Sequence, residues 1–89
     1  IMSDARINIL YFAWMREHTG TANEQIALPD GAQTVGDLMP VLMARSAGHA
    51  LALKNMTAVR VAINRSHGDL KTLVAAGDEI AFFPPVTGG

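Results

Sequence analysis

The sequence predicts an α+β fold in which a mixed β-sheet carries one main helix across one face. Three observations predict it: a β-branched and aromatic run near the start, "RINILYFA"; a similar run near the end, "IAFF"; and between them one long amphipathic stretch, "TVGDLMPVLMARSAG". A single helix buries its apolar stripe only against a sheet, so strands remote in sequence must come together beneath it.

Each element has its own signal. "RINILYFA" (6–13) reads as a strand with Ile7, Ile9, Tyr11 and Ala13 on one face and Asn8, Leu10 and Phe12 on the other. "WMREHTGTA" breaks the alternation, with room for a short helical turn before Gly20. "NEQIAL" resumes as a second strand, closed by the turn residues Pro29, Asp30 and Gly31. In the helix, Thr34 is placed to cap and Asp37 sits in the first turn, where the dipole favours an anion. Val35, Leu38, Met39, Leu42 and Met43 form the stripe, and Gly48 is placed to end the segment. Pro40 lacks the N–H that would bond to the Gly36 carbonyl, so a kinked or late-starting helix is expected. "HALALKNMT" reads as a short helix or a loop. "VRVAIN" (59–64) is a strand, "RSHGD" a turn, "LKTLV" a short strand or turn, "AAGDE" a turn, and "IAFF" the closing strand.

This order is that of a ubiquitin-like β-grasp, with the first and last strands side by side and parallel at the centre. If the helix covers Ile7, Ile9, Tyr11, Val61, Ile63, Ile80 and Phe82, alternation turns Leu10, Phe12, Ala81 and Phe83 to the opposite face. Phe12 and Phe83 on adjacent strands then form either an exposed patch of the kind that marks partner surfaces or a satellite core under loops. Arg16, just beyond Phe12, reads as a cation beside that patch or as an ordinary surface residue.

Composition bounds the function. With 89 residues the chain is long enough for one core and too short for two, and 49% apolar against 17% charged residues is globular composition. A net charge of −1 with scattered Arg and Lys gives no nucleic-acid or anionic-membrane footprint. The absence of cysteine excludes disulfides, thiolate metal sites and a cysteine nucleophile. No apolar run approaches the ~20 residues needed to span a bilayer, and no basic, then apolar, leader pattern opens the chain, so a cytoplasmic protein is expected. Ile1 precedes Met2 and is left out; the domain is taken as residues 2–83 with an extended tail at 84–89.

No side-chain constellation makes a convincing catalyst. His18, His49 and His67 are far apart and without metal-ligand spacing, so no metal is expected. Asp78 and Glu79 read as turn residues, and Ser46 and Ser66 lack a sequence pattern of base and orienting partner. What remains is the end of the chain. Pro84 and Pro85 hold the segment extended and project it, while Gly88 and Gly89, without Cβ atoms, suit a carboxylate that threads a narrow channel to be activated by a partner.

"FFPPVTGG", "ILYFAWMREHTG" and "AAGDEIAFFPPV" resemble the small-subunit family of molybdopterin synthase, sulfur carriers of the MoaD/ThiS type. The resemblance implies that the Gly89 carboxylate is adenylated by an E1-like enzyme using ATP, with no cofactor held permanently. It is then converted to a thiocarboxylate with sulfur from a desulfurase or rhodanese-type donor. The tail, Pro84, Pro85, Val86, Thr87 and Gly88, would enter the large synthase subunit and deliver sulfur to cyclic pyranopterin monophosphate. That subunit would hold the catalytic side chains in a heterotetramer of two small and two large subunits. Phe12, Phe83 and Arg16 match contact positions of the family. Pro40 and "ARSAGHALALKNMT" depart from its pattern. A carrier of terminal thiocarboxylate needs no cysteine, in keeping with the composition. Two alternatives share the Gly-Gly ending or the patch: a carrier for thiamine or tRNA thiolation or a ubiquitin-like modifier, and a non-catalytic binding module with an inert tail.

Overall fold

The computed structural model describes residues 5–85. In chain order the elements are β1 (Arg6–Tyr11), α1 (Ala13–Thr19), β2 (Asn23–Ala27), α2 (Val35–Met43) and α3 (Ala47–Leu53). A short 3-10 turn (Met56–Ala58), β3 (Arg60–Ile63), β4 (Ser66–Gly68) and β5 (Glu79–Phe83) follow. The strands form one sheet in the order β2-β1-β5-β3-β4. β1 and β5 run parallel at its centre and the other neighbours are antiparallel. This is the β-grasp arrangement that the sequence predicts.

Alternation places the core where expected. Ile7, Ile9 and Tyr11 of β1, Val61 and Ile63 of β3, and Ile80 and Phe82 of β5 are buried together with Val35, Leu38, Met39 and Leu42 of α2. Each such side chain contributes about 1.5–3 kcal/mol on burial. Helix α2 opens with a reciprocal capping box: Asp37 N–H donates to Thr34 Oγ1 at 3.3 Å, and the Asp37 carboxylate accepts the backbone N–H groups of Thr34 at 3.0 Å and Gln33 at 2.8 Å. Those two backbone donors hold the Asp37 carboxyl below the ordinary aspartate value.

Several local expectations change. β1 ends at Tyr11, because Ala13 turns into the left-handed region (φ 55°) and starts α1, leaving its methyl exposed instead of on the core face. α2 starts at Val35 without delay and runs through Pro40, which lies on the exposed side and forfeits one intrahelical bond. It stops at Met43, so Gly48 does not end it. Ser46 begins a separate helix instead, accepting the His49 N–H at 3.0 Å, and Gly48 lies within that helix. There a Cβ on Gly48 would run into the His18 carbonyl of α1, so glycine is what lets the two helices meet. "RSHGD" is not only a turn: Ser66–Gly68 form β4, while "LKTLV" contributes a single bridge between Leu73 and Thr34. Glu79, read as a turn residue, opens β5.

The helix layer is pinned to the sheet by a polar cluster that sequence pattern did not reveal. Glu24 of β2 accepts from the Tyr11 hydroxyl at 2.7 Å and from His49 Nε2 at 2.7 Å through one oxygen, and from Arg45 Nε at 3.1 Å through the other. A carboxylate only accepts, so Nε2 carries a proton; Ser46 Oγ lies 2.7 Å from Nδ1 while capping α3 by accepting the His49 N–H. Burial opposes the Glu24 charge, but the hydrogen bonds from Tyr11 and His49 and the Arg45 cation outweigh it and hold the carboxyl below the ordinary glutamate value. Burial, reinforced by Glu24, pushes the Tyr11 phenol well above the ordinary tyrosine value.

Candidate docking site

The face of the sheet opposite the helices carries the site. Strand register aligns Leu10, Ala81, Ala62 and His67 in one row across β1, β5, β3 and β4. Beyond that row, Phe12 follows β1 and Phe83 ends β5, as alternation predicts. The Phe12 N–H donates to the Phe82 carbonyl at 3.1 Å, which fixes the end of β1 against β5. Phe12 is 48% exposed, a large share for a phenylalanine held this firmly by its backbone.

Phe12, Phe83, Pro84 and Pro85, with Leu10 and Ala81, line an open groove of about 780 Å³. The apolar patch is therefore an open, exposed surface and not a satellite core under loops. Towards β2 the same face becomes polar, Gln25 donating to Asn8 at 3.2 Å, so the apolar zone is bounded. On the other side the His67 ring lies 6.1 Å from that of Phe83 and extends the surface onto β4.

The structure brings Phe12, Phe83, Pro84 and Pro85 together in this groove. It does not bring Arg16 there: Arg16 is exposed on α1 and is not a lining residue. The cation at the groove is Arg65, in the β3–β4 turn, joined by Glu79 at the start of β5. Sequence reasoning missed both, since it left 65–69 and 75–79 as turns; the signal available was Asn64, a residue favoured at the first position of a tight hairpin. Val86, Thr87, Gly88 and Gly89 lie outside the described residues.

Among the described residues no group of three or more His, Asp or Glu is placed to hold a metal ion. Ser46, His49 and Glu24 form a chain resembling nucleophile, base and orienting acid, but Ser46 Oγ caps α3 and none of the three lines the groove; the chain is structural. No helix among the described residues is long and apolar enough to cross a membrane.

Fold and groove together define a class: a ubiquitin-like β-grasp protein with an open apolar groove beside the strand that leads into its C-terminal segment. The chain belongs to the ThiS family, whose family model matches residues 9–89. It is 42% identical over 83 residues to the molybdopterin synthase sulfur carrier subunit of Haemophilus influenzae, covering 93% of this chain and 99% of that one. It is 39% identical to the same subunit of Escherichia coli at the same coverage. Among solved structures, SAMP1 of Haloferax volcanii superposes with a TM-score of 0.72 at 31% identity, over 94% of this chain and 99% of that one.

Proposed function

We propose that this chain is the sulfur carrier subunit of a molybdopterin synthase and acts in molybdenum cofactor biosynthesis. The observation that carries the reading is the match, over nearly the whole chain, to two proteins named as that subunit. The apolar groove at the root of the tail supports it, because a carrier must dock before its terminus can be handled.

In this reading the Gly89 carboxylate, a poor electrophile, is activated by an E1-like enzyme that spends ATP to form an acyl-adenylate. The terminal sulfur of a persulfide on a desulfurase or rhodanese-type donor then displaces AMP to give an acyl disulfide, which a thiol reductant cleaves to the thiocarboxylate, the donor sulfur leaving in a disulfide. The chain holds no cofactor of its own. The Phe12 and Phe83 surface seats on the large synthase subunit, and the segment from Pro84 to Gly89 delivers sulfur to cyclic pyranopterin monophosphate. Two copies of each subunit form the synthase. The cycle is placed in the cytoplasm and needs neither nucleic acid nor membrane.

A second reading has its own support. SAMP1 of Haloferax volcanii is described in another of its structures as small archaeal modifier protein 1, and a modifier would spend the activated carboxylate on an amine instead of sulfur.

Intact mass spectrometry after co-expression with an activating enzyme and sulfur donor tests any carrier role. The expected result is the mass gain of one oxygen-to-sulfur exchange on a chain ending at Gly89. Reconstitution with a large synthase subunit then separates the two readings: formation of molybdopterin from the pyranopterin precursor supports the first, and its absence with a fully thiocarboxylated chain removes it.

A further inference from the structure

Arg65 has an unusual combination of backbone and side chain. It is the second central residue of the two-residue turn between β3 and β4, and both turn residues have positive φ, 51° at Asn64 and 72° at Arg65. Hairpin turns of this kind favour asparagine at the first position and glycine at the second. The first preference is met, but at the second an arginine occupies a conformation that side chains rarely adopt. The turn is also held rigidly. Asn64 donates its side-chain amide to Asp78 at 3.0 Å and accepts the Glu79 N–H at 2.9 Å, tying the turn to the start of β5.

The Arg65 side chain gives the fold nothing visible in return. It is exposed and makes no hydrogen bond or ion pair among the described residues. Glu79 lines the same groove without pairing with it, and Asp78 is engaged by Asn64 and by the Ala75 N–H at 2.8 Å. A side chain held on a strained backbone position beside the apolar groove, exposed and with no bond of its own among the described residues, is a group available for something outside the chain.

We propose that Arg65 is a specificity-determining anchor for docking, engaging a carboxylate that the large synthase subunit presents at the edge of its apolar contact surface. This rests on the proposed function for the identity of the partner. The chemistry is charge complementarity: one fixed cation beside Phe12, Phe83 and the two prolines selects partners that offer an acid there and disfavours those that offer a base.

The test is titration of purified large synthase subunit with the wild type and with Arg65→Gly, Arg65→Lys and Phe12→Ala, at low and high ionic strength, alongside thermal melts. Arg65→Gly relieves the backbone, so its Tm should rise by roughly 4 °C. Its affinity should fall about three- to fivefold at low ionic strength, with a shallower salt dependence. Arg65→Lys should restore much of the affinity without the gain in Tm. Phe12→Ala should weaken binding while leaving the salt dependence intact. Arg65→Gly binding with unchanged affinity and salt slope overturns the assignment and leaves the proposed function standing. A lowered Tm in Arg65→Gly overturns it too, by making the residue structural. A wild-type chain that does not bind the large subunit overturns the proposed function, and this anchor with it.

Discussion

Nε2 of His49 lies 2.7 Å from Oε2 of Glu24, and the Tyr11 hydroxyl donates to the same oxygen. One carboxylate thereby gathers a helix, an edge strand and a central strand. Among the described residues no buried side-chain nitrogen or oxygen lacks a partner, so this cluster is satisfied throughout.

Because the folded chain holds the Glu24 carboxyl below its ordinary value, folding favours the ionised form. Its contribution is complete at neutral pH and is lost as pH falls below about 4.5 through the folded-state value. Glu24→Gln should cost about 1–3 kcal/mol at neutral pH, and the Tm difference from wild type should narrow in acid. A difference that stays constant down to acid unfolding would show that the charge is not what matters.

Phe82 of β5 and Phe12 at the end of β1 should behave oppositely. Phe82 is fully buried, and Phe82→Ala should lose about 3–5 kcal/mol. Phe12, half-exposed, should change stability by no more than about 0.5 kcal/mol as Phe12→Ala, yet weaken docking on the large subunit by roughly tenfold or more. Denaturant unfolding and binding measured on the same samples check both; equal stability losses would contradict the assignment of faces.

Gly48→Ala should be the most damaging small substitution in the helix layer. The new methyl meets the His18 backbone, which cannot rotate away as a side chain would, so α1 and α3 must separate. A loss of roughly 2–3 kcal/mol is expected in urea unfolding; a stabilised variant, as helix propensity alone would predict, would refute the close approach.

The faces of the strands, the α2 stripe and the position of Phe12 and Phe83 were legible because period and alternation are local signals tied to burial. The polar cluster was not, because Tyr11, Glu24 and His49 belong to separate segments and nothing in their spacing announces contact. Gly48 misled for a related reason: a glycine kept for close helix packing looks in sequence like a helix stop. Arg16 reads in sequence as a cation beside the patch or an ordinary surface residue and, by resemblance, as a contact position; it is an exposed residue of α1 that does not line the groove, and the β3–β4 hairpin delivers Arg65 there.

If sulfur is carried on the terminal carboxylate, one residue added after Gly89 should abolish molybdopterin formation while leaving Tm within about 1 °C of wild type, as for a surface change that touches no packed element. Intact mass and circular dichroism on the extended protein accompany the assay. Retained activity would remove the terminal-carboxylate mechanism.

The place of β5 between β1 and β3 has a further consequence for how the molecule comes into being. Without it the sheet is two separate pairs, β2 with β1 and β3 with β4. As synthesis proceeds from the N-terminus, those pairs must wait, and the core closes only when the strand preceding Pro84 has been made. Completion of the fold and arrival of the segment beyond it are then nearly one event. A chain cut short before β5 lacks the strand that joins the two pairs, and its core stays open.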